Sequence, residues 1–308
     1  MGDMQFDNDE WSTSAVEEIT DILFDGDNTI WDWVTYAAHA YDAMLQCIVE
    51  ETKKPENKVI AAMKAFYTEV GTLEHEGLIQ GMEAQGFFKN VPQFDRDELI
   101  HKVQAVFSEM RRKHLRLYDG MQNVLETLAK QGKRVKIITD APEFQAKMRV
   151  RHFKLDPFIK DVYAMAGNTV DLPKKFQKRR KDGHYKVDFP TFISELEKPY
   201  SDLESILKMM PEQISRRVLI VGDNTKKDIE LAKRFGCRAI YSAYGIPPKE
   251  YLERLLRLAP EKVTRKNSSI LEEKTEEVKQ KSSAASSNSR VVTANEPSDI
   301  LKYLKIKS

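Results

Sequence analysis

Two aspartates follow a short apolar run near the start of the chain. The run spans residues 19–24, and Asp25 and Asp27 come directly after it, separated by one glycine. β-Branched and aromatic residues in so short a run favour a buried strand. Of two carboxylates at the end of such a strand, one can bind Mg²⁺ and attack a substrate while the other moves a proton. The alternative is an acidic turn, because Asp, Gly and Asn are also preferred turn residues.

A second pair of aspartates follows the most apolar run of the chain, 217–222. Asp223 comes directly after that run, and Asp228 lies further along the predicted helix 225–235. Ligands of open parallel sheets bind beyond the carboxyl ends of the strands, so we expect Asp223 to lie beside Asp25. Two carboxylates at adjacent strand ends require a cation between them. The alternative is that these acids only cap the helix.

Further candidates for anion binding follow in the chain. Thr139 ends another apolar run, where its hydroxyl and the backbone N–H groups around Asp140 could hold phosphoryl oxygens. Lys198, which precedes a proline and the helical pattern 201–210, could neutralise both a nucleophile and a phosphate. Taken singly, Thr139 is a common helix cap and a lone lysine is usually a solvated surface residue.

The segments that position these residues alternate between short apolar runs and helical patterns. Helical spacing of apolar residues covers 121–129 and 228–235, and each stretch ends at a glycine. The remaining apolar runs are 134–139, 161–165, 237–241 and 290–293. This alternation predicts an α/β fold with a Rossmann-like parallel sheet.

Two stretches depart from the alternation. Residues 32–117 have helical patterns throughout, at 35–51, 57–70 and 97–113, which is enough chain for a separate helical module. Residues 263–289 are rich in Ser, Lys and Glu and contain few large apolar residues, so we expect a charged, mobile segment.

Composition bounds the class of protein. The 49 Lys and Arg residues nearly balance 48 Asp and Glu, which gives a net charge of +1 and argues against a nucleic acid as partner. Two cysteines exclude a disulfide framework and indicate the reducing cytoplasm. No apolar run approaches the roughly 20 residues of a membrane span. The acidic first residues do not form a signal peptide.

The motifs Asp-x-Asp-x-Thr, Thr, Lys-Pro and Gly-Asp-x₄-Asp, in that order, resemble those of the haloacid dehalogenase-like (HAD) superfamily. The second aspartate of the first motif is typical of the phosphatases and phosphotransferases in it. The helical module occupies the place of the family's C1 cap. The resemblance implies an N-terminal extension (1–18), a core (19–31 and 118–262), a C1-type cap (32–117), the charged segment (263–289), and a last core strand and helix (290–308).

The resemblance also implies roles for the motif residues. Asp25 is the expected nucleophile, which forms an aspartyl-phosphate, and Asp27 is the expected general acid and base. Thr139, Asp140 and Lys198 are expected to hold the phosphoryl group. The expected cofactor is Mg²⁺, held by Asp25, the Asp27 backbone carbonyl, Asp223 and Asp228.

Some features depart from the family pattern. Asn28 stands where the first motif usually has glycine, and Gly26 lies between the two acids. Lys181 and Lys186, in or after the basic run 174–181, are rival candidates for the third-motif lysine. The run itself could bind an anion, although most such runs are solvated loops.

Substrate choice is expected to depend on the helical module. Trp31, Trp33 and Tyr36 follow the first motif, and Glu74 and His75 lie in a polar, glycine-bounded link. The alternative for the aromatic residues is that they pack the hinge between module and core.

The favoured function is a Mg²⁺-dependent phosphatase that hydrolyses a phosphate monoester of a small metabolite. A phosphoprotein substrate, phosphotransfer between two positions of a sugar, and a non-catalytic binding protein on the same scaffold are the alternatives. The oligomeric state is not indicated by the sequence.

Overall fold

The fold is taken from a computed structural model, which describes residues 9–75, 77–92, 94–165, 191–194, 197–259 and 290–307. The basic run 174–181, both rival lysines and the charged segment 263–289 lie outside the described residues. Among those described, no helix is long and apolar enough to cross a membrane.

A seven-stranded sheet forms the centre of the protein, in the order β4-β3-β2-β1-β5-β6-β7. Every neighbouring pair of these strands is parallel. The strands are β1 (Asp21–Phe24), β2 (Arg134–Pro142), β3 (Ile159–Met165), β4 (Thr191–Ser194), β5 (Val218–Gly222), β6 (Arg238–Ser242) and β7 (Val291–Ala294). The predicted α/β fold with a parallel sheet is confirmed.

A helical insertion at residues 33–114, described below, follows β1. The other helices lie between the strands, before β1 or after β7. They are α1 (Thr13–Glu17), α6 (Met121–Lys130), α7 (Glu143–His152), α8 (Leu203–Leu207), α9 (Pro211–Arg217), α10 (Glu230–Phe235), α11 (Lys249–Leu256) and α12 (Asp299–Tyr303). Such βα units are the usual origin of a parallel sheet, because each crossover helix returns the chain to the same edge.

Strand β1 lies between β2 and β5, so the ends of these strands meet at one edge. Phe24 is in register with Ile137 of β2 and with Val221 of β5. The backbone N–H of Asp25 donates to the carbonyl of Val221 at 2.8 Å, which carries the pairing one residue past β1. The residues that follow β1 and β5 are therefore brought side by side.

Between β1 and β2 the chain forms the helical insertion, defined here as α2 (Trp33–Thr52), α3 (Glu56–Val70), α4 (Leu78–Ala84) and α5 (Arg96–His114). Side-chain caps begin two of its helices, since Asp32 accepts from the Thr35 N–H and Asp95 from the Glu98 N–H. Buried apolar residues of the insertion and of the sheet belong to one continuous cluster. The insertion is thus packed onto the core through apolar contact.

Two predicted helices differ from the structure. The pattern at 201–210 predicts one helix, but α8 ends at Lys208, which has a left-handed φ of 52°, and α9 begins at Pro211. A proline disfavours helical backbone in the residue before it, which explains the break. The predicted helix 225–235 begins as a π-helical turn, Thr225–Ile229, before α10.

A pair of stacked histidines lies where the insertion meets α11. The rings of His39 on α2 and His114 at the end of α5 are 3.8 Å apart between centroids, and Tyr251 of α11 lies 5.3 Å from His39. Burial lowers the pKa of both imidazoles; Arg254 lowers that of His39 further, and His39 lowers that of His114. Neutral rings are therefore favoured in the folded protein.

This stack should make the fold sensitive to acid. A pKa lowered on folding contributes stability that is present above the ordinary histidine pKa of about 6.5 and is lost as the pH falls through the folded value. We expect the thermal midpoint to fall less between pH 7.5 and 5 in His114→Gln than in the unaltered protein, by roughly 1–3 °C. His101→Gln, an exposed histidine on the same helix, is the control. An equal fall in all three proteins would contradict the prediction.

Candidate active site

Three aspartates converge at the carboxyl edge of the sheet. Asp25 follows β1, Asp223 follows β5, and Asp228 lies in the π-helical turn after it. One carboxylate oxygen from each lies within 4.8 Å of the others, and all three residues are buried. The sequence predicted that Asp223 lies beside Asp25, and the family resemblance implied that Asp228 belongs to the same metal-binding set; the structure brings all three side chains together.

Lys198 lies among these acids. Its Nζ is 2.8 Å from Asp25 Oδ1 and 2.6 Å from Asp228 Oδ1, and its side chain is 2 % exposed. Burial alone would lower the pKa of Lys198, but the charges of Asp228 and Asp25 outweigh it and hold the pKa well above its ordinary value. The ammonium group is therefore a permanent charge of the site.

One lysine does not balance three buried carboxylates. Burial raises the pKa of Asp25 well above its ordinary value; Lys198 opposes this rise, whereas Asp228 and Asp223 add to it. Buried oxygen ligands at this spacing suit a hard divalent cation, which would neutralise the remaining negative charge. The donor set of Asp25, Asp223 and Asp228 thus fits the predicted metal.

Gly222, the last residue of β5, permits the close approach of Asp228. A Cβ at position 222 would lie 2.3–2.4 Å from the Cγ, Cβ and Oδ2 atoms of Asp228. The second oxygen of that carboxylate accepts from the Asn224 N–H at 3.0 Å. The two oxygens of Asp228 are therefore both fixed, one by the Asn224 backbone N–H and the other by the Lys198 ammonium group.

Thr139 and the residue after it, Asp140, have different contacts at this edge of the sheet. Thr139 is buried within β2, and its Oγ1 accepts from the Ala141 N–H at 3.1 Å. The Asp140 carboxylate accepts from the Lys198 backbone N–H at 3.0 Å and forms an ion pair with Lys227. Burial would raise the pKa of Asp140, but Lys198 and Lys227 outweigh it and lower the pKa.

Asp140 was predicted in the phosphate-binding set, and Lys227 was not predicted at all. The Asp140 carboxylate accepts from the backbone of Lys198 and pairs with the ammonium group of Lys227, so its side chain fixes the backbone of one lysine and the charge of the other. Lys227 lies in the turn that carries Asp228, and its sequence position beside another lysine is typical of a solvated helix start. Nothing in the sequence pattern marked it.

Asp27 points to a different set of partners from Asp25. Arg149 Nη1 lies 2.8 Å from Asp27 Oδ1 and 3.1 Å from Oδ2, and the Trp31 indole donates to Oδ1 at 2.5 Å. Arg149 belongs to α7 and is fully buried. It lies on the same helix face as the buried Gln145 and Ala146, four and three residues earlier, but this spacing does not distinguish a buried arginine from a solvated one.

The departures from the family's first motif have a local cause. A Cβ at Gly26 would lie 2.6 Å from the Trp31 ring, so the fully buried indole requires glycine there. Asn28 has a left-handed φ of 58°, which Asn tolerates better than most residues. Its side chain also accepts from the Val34 N–H at 3.2 Å.

The predicted specificity residues divide into two groups. Glu74 forms an ion pair with Arg149 and accepts from the Trp33 indole at 3.2 Å, and the Arg149 guanidinium lies 6.0 Å from the centre of the Tyr36 ring. Glu74 and Tyr36 therefore contact Arg149, the partner of Asp27, and Trp33 is joined to it through Glu74. His75 instead accepts from the Gly77 N–H and its ring meets the edge of Phe66, within the insertion.

We predict that Gly222→Ala disrupts the cluster. The added methyl group must displace the buried Asp228 carboxylate, so we expect a loss of about 1–3 kcal/mol in the free energy of unfolding, measured by urea denaturation. The same substitution in an Asp228→Gly background removes the three closest contacts that the methyl group would make, all of which are with the Asp228 side chain. A similar loss in both backgrounds would show that the cause lies elsewhere.

Two family descriptions match the sequence. Residues 22–175, half of the 308 residues, match the family described as haloacid dehalogenase-like hydrolase, and residues 197–266 match the family described as HAD-hydrolase-like. Together the two matched ranges contain every predicted motif residue. No curated protein matches the chain.

Solved structures with similar folds have low identity to the chain. A 2-haloacid dehalogenase from Pseudomonas syringae pv. Tomato DC3000 is 17% identical, with 93% of this chain and 98% of that chain covered and a TM-score of 0.49. A haloacid dehalogenase-like hydrolase from Xanthomonas campestris is 12% identical (93% and 96% covered, TM-score 0.48), and a HAD phosphatase from Thermococcus onnurineus is 17% identical (75% and 89%, 0.43). By its family matches, the chain belongs to the haloacid dehalogenase-like hydrolase superfamily.

Proposed function

We propose that the protein is a Mg²⁺-dependent phosphatase that hydrolyses a phosphate monoester of a small metabolite through an aspartyl-phosphate on Asp25. The observation that carries the proposal is the contact of Lys198 with Asp25 inside a cluster of buried acids, in a chain that carries a second aspartate, Asp27, two residues after Asp25. Dehalogenases of this superfamily lack the second aspartate, because a halide leaves without a proton.

In the first step, an oxygen of Asp25 attacks phosphorus and the bond to the leaving oxygen breaks. Asp27 donates its proton to that oxygen, so the product departs as an alcohol. In the second step, Asp27 takes a proton from water, the water oxygen attacks phosphorus, and the bond to Asp25 breaks to give inorganic phosphate. The nucleophile and the proton-transfer group are thereby both restored.

The fixed charges of the site support this chemistry. Lys198 can orient Asp25 and neutralise charge on the phosphoryl group, and Thr139 lies within β2, the strand next to β1. A Mg²⁺ ion held by Asp25, Asp223 and Asp228, with the Asp27 backbone carbonyl, would supply the remaining positive charge to the phosphoryl oxygens. Because phosphoryl transfer depends on position and charge, few other groups are needed.

The helical insertion is proposed to act as a C1-type cap that limits the substrate to small molecules. Its residues Tyr36 and Glu74 contact Arg149, the partner of Asp27, and Trp33 contacts Glu74, so the insertion reaches the region where a leaving group would sit. A large phosphoprotein would have to displace the insertion, which shares a continuous apolar core with the sheet. A small phosphorylated metabolite is therefore the favoured substrate.

We expect Asp25→Asn to lower kcat/KM for an aryl phosphate by roughly 10³-fold or more, because an amide cannot act as the nucleophile. Phosphate release measures the rate, and circular dichroism checks that the variant is folded. Glu126→Gln, a half-exposed carboxylate that pairs with Lys130 one helical turn further on, is the matched control. Activity that survives in folded Asp25→Asn would overturn the mechanism.

The metal site makes a second prediction. Excess Mg²⁺, at about a hundredfold above its Kd, should raise the thermal midpoint by roughly 3–6 °C in the unaltered protein, because it binds only the folded state. Asp223→Asn should lose most of this rise. In EDTA the variant should be at least as stable as the unaltered protein, because one of three mutually repelling carboxylates is neutral. Equal rises in both proteins would exclude Asp223 as a ligand.

A further inference from the structure

One guanidinium group joins the proposed proton-transfer group to the helical insertion. Arg149 Nη1 contacts both oxygens of Asp27, and Nη2 contacts Oε1 of Glu74 in the link between α3 and α4. The Arg149 side chain is fully buried, whereas those of Asp27 and Glu74 are 23 % and 12 % exposed. Three separate parts of the chain therefore meet at one planar group.

The three side chains of Asp27, Arg149 and Glu74 are called the bridge here, and an indole group extends it at each end. The Trp31 Nε1–H donates to Asp27 Oδ1 at 2.5 Å, and the Trp33 Nε1–H donates to Glu74 Oε1 at 3.2 Å. The bridge is thus a continuous row of polar contacts from Trp31 to Trp33. It lies inside apolar surroundings, with the fully buried Trp31 ring stacked against Phe153.

The bridge is electrostatically constrained. A buried arginine costs several kcal/mol of desolvation, which its counter-ions must offset, and loss of one of them is strongly destabilising. Here two carboxylates share one cation, and among the described residues the Arg149 Nε–H has no acceptor. The planar fork of arginine fixes the direction of both carboxylates at once, which a lysine ammonium does not do.

We propose that Arg149 is a positioning residue: it aligns the Asp27 carboxylate for proton transfer, with Glu74 of the insertion as the second anchor. Neither Arg149 nor Glu74 belongs to the four motifs of the superfamily. If Glu74 loses its charge or moves away, Arg149 follows Asp27 alone and the carboxylate turns. The role in proton transfer rests on the proposed function, whereas the coupling from Glu74 to Asp27 does not.

The coupling can be observed without any activity. The chain has three tryptophans, Trp11, Trp31 and Trp33, so ¹⁵N-indole labelling of the full chain gives three signals, of which Trp11 is an internal reference. Glu74→Gln keeps an acceptor for Trp33 but removes the charge that holds Arg149. We expect the signals of both Trp33 and Trp31 to shift, because the change passes through Arg149 and Asp27. A shift of Trp33 with an unchanged Trp31 would overturn the coupling.

The catalytic role is read from two substrates that differ in their leaving group. The aryl oxide of an aryl phosphate departs without a proton, whereas the alkoxide of an alkyl phosphate must be protonated as it leaves. In Arg149→Lys we expect kcat/KM for the alkyl ester to fall roughly 10–100-fold more than for the aryl ester, part of the 10²–10⁴-fold that general acid catalysis contributes. Asp27→Asn should change the ratio in the same direction and further, and Glu74→Gln less.

The matched control is Lys147→Met, which removes a cation from the same helix; Lys147 pairs with Glu143 one turn away. It should change neither the ratio nor the indole signals. The positioning role would be overturned if Arg149→Lys and Glu74→Gln lowered kcat/KM equally for the two esters, or did not lower it at all. If Arg149→Lys does not fold, Glu74→Gln alone decides. Failure of the unaltered protein to hydrolyse either ester would instead refute the proposed function, and the indole test would still report on the bridge.

Discussion

The site depends on the burial of three carboxylates around a single lysine. Asp25, Asp223 and Asp228 approach within 4.8 Å of one another because Lys198 lies between two of them, yet its one charge leaves an excess of negative charge. Burying these charges costs desolvation free energy that a purely structural core would not require. The arrangement is typical of a functional site that binds cations and anions together.

The rest of the fold serves this cluster. Parallel strands bring the ends of β1, β2 and β5 to one edge, and a glycine at the end of β5 leaves room for Asp228. Asp140 and Lys227 then fix the lysine from outside the cluster. Asp27 lies apart from these contacts, on Arg149, so the two aspartates of the first motif have different electrostatic environments and can carry different roles.

Much of this arrangement could be predicted from residue patterns, because strand ends and motif order specify which carboxylates meet. Arg149 could not be recognised in that way, because a charged residue on a helix normally faces water and its two partners come from distant parts of the chain. The short β4 lies next to a charged stretch that obscures the strand signal. The helix at 201–210 is interrupted by a backbone effect of Pro211 that apolar spacing does not reveal.

The central claim is that Asp25 becomes covalently phosphorylated. It is tested most directly by mixing the protein with Mg²⁺ and a phosphate monoester, quenching within one turnover, and reducing any acyl phosphate with borohydride before peptide mapping. We expect position 25 to be converted to homoserine, in proportion to turnover and only with substrate present. Turnover with an unmodified Asp25, or with the modification at another carboxylate, would contradict it.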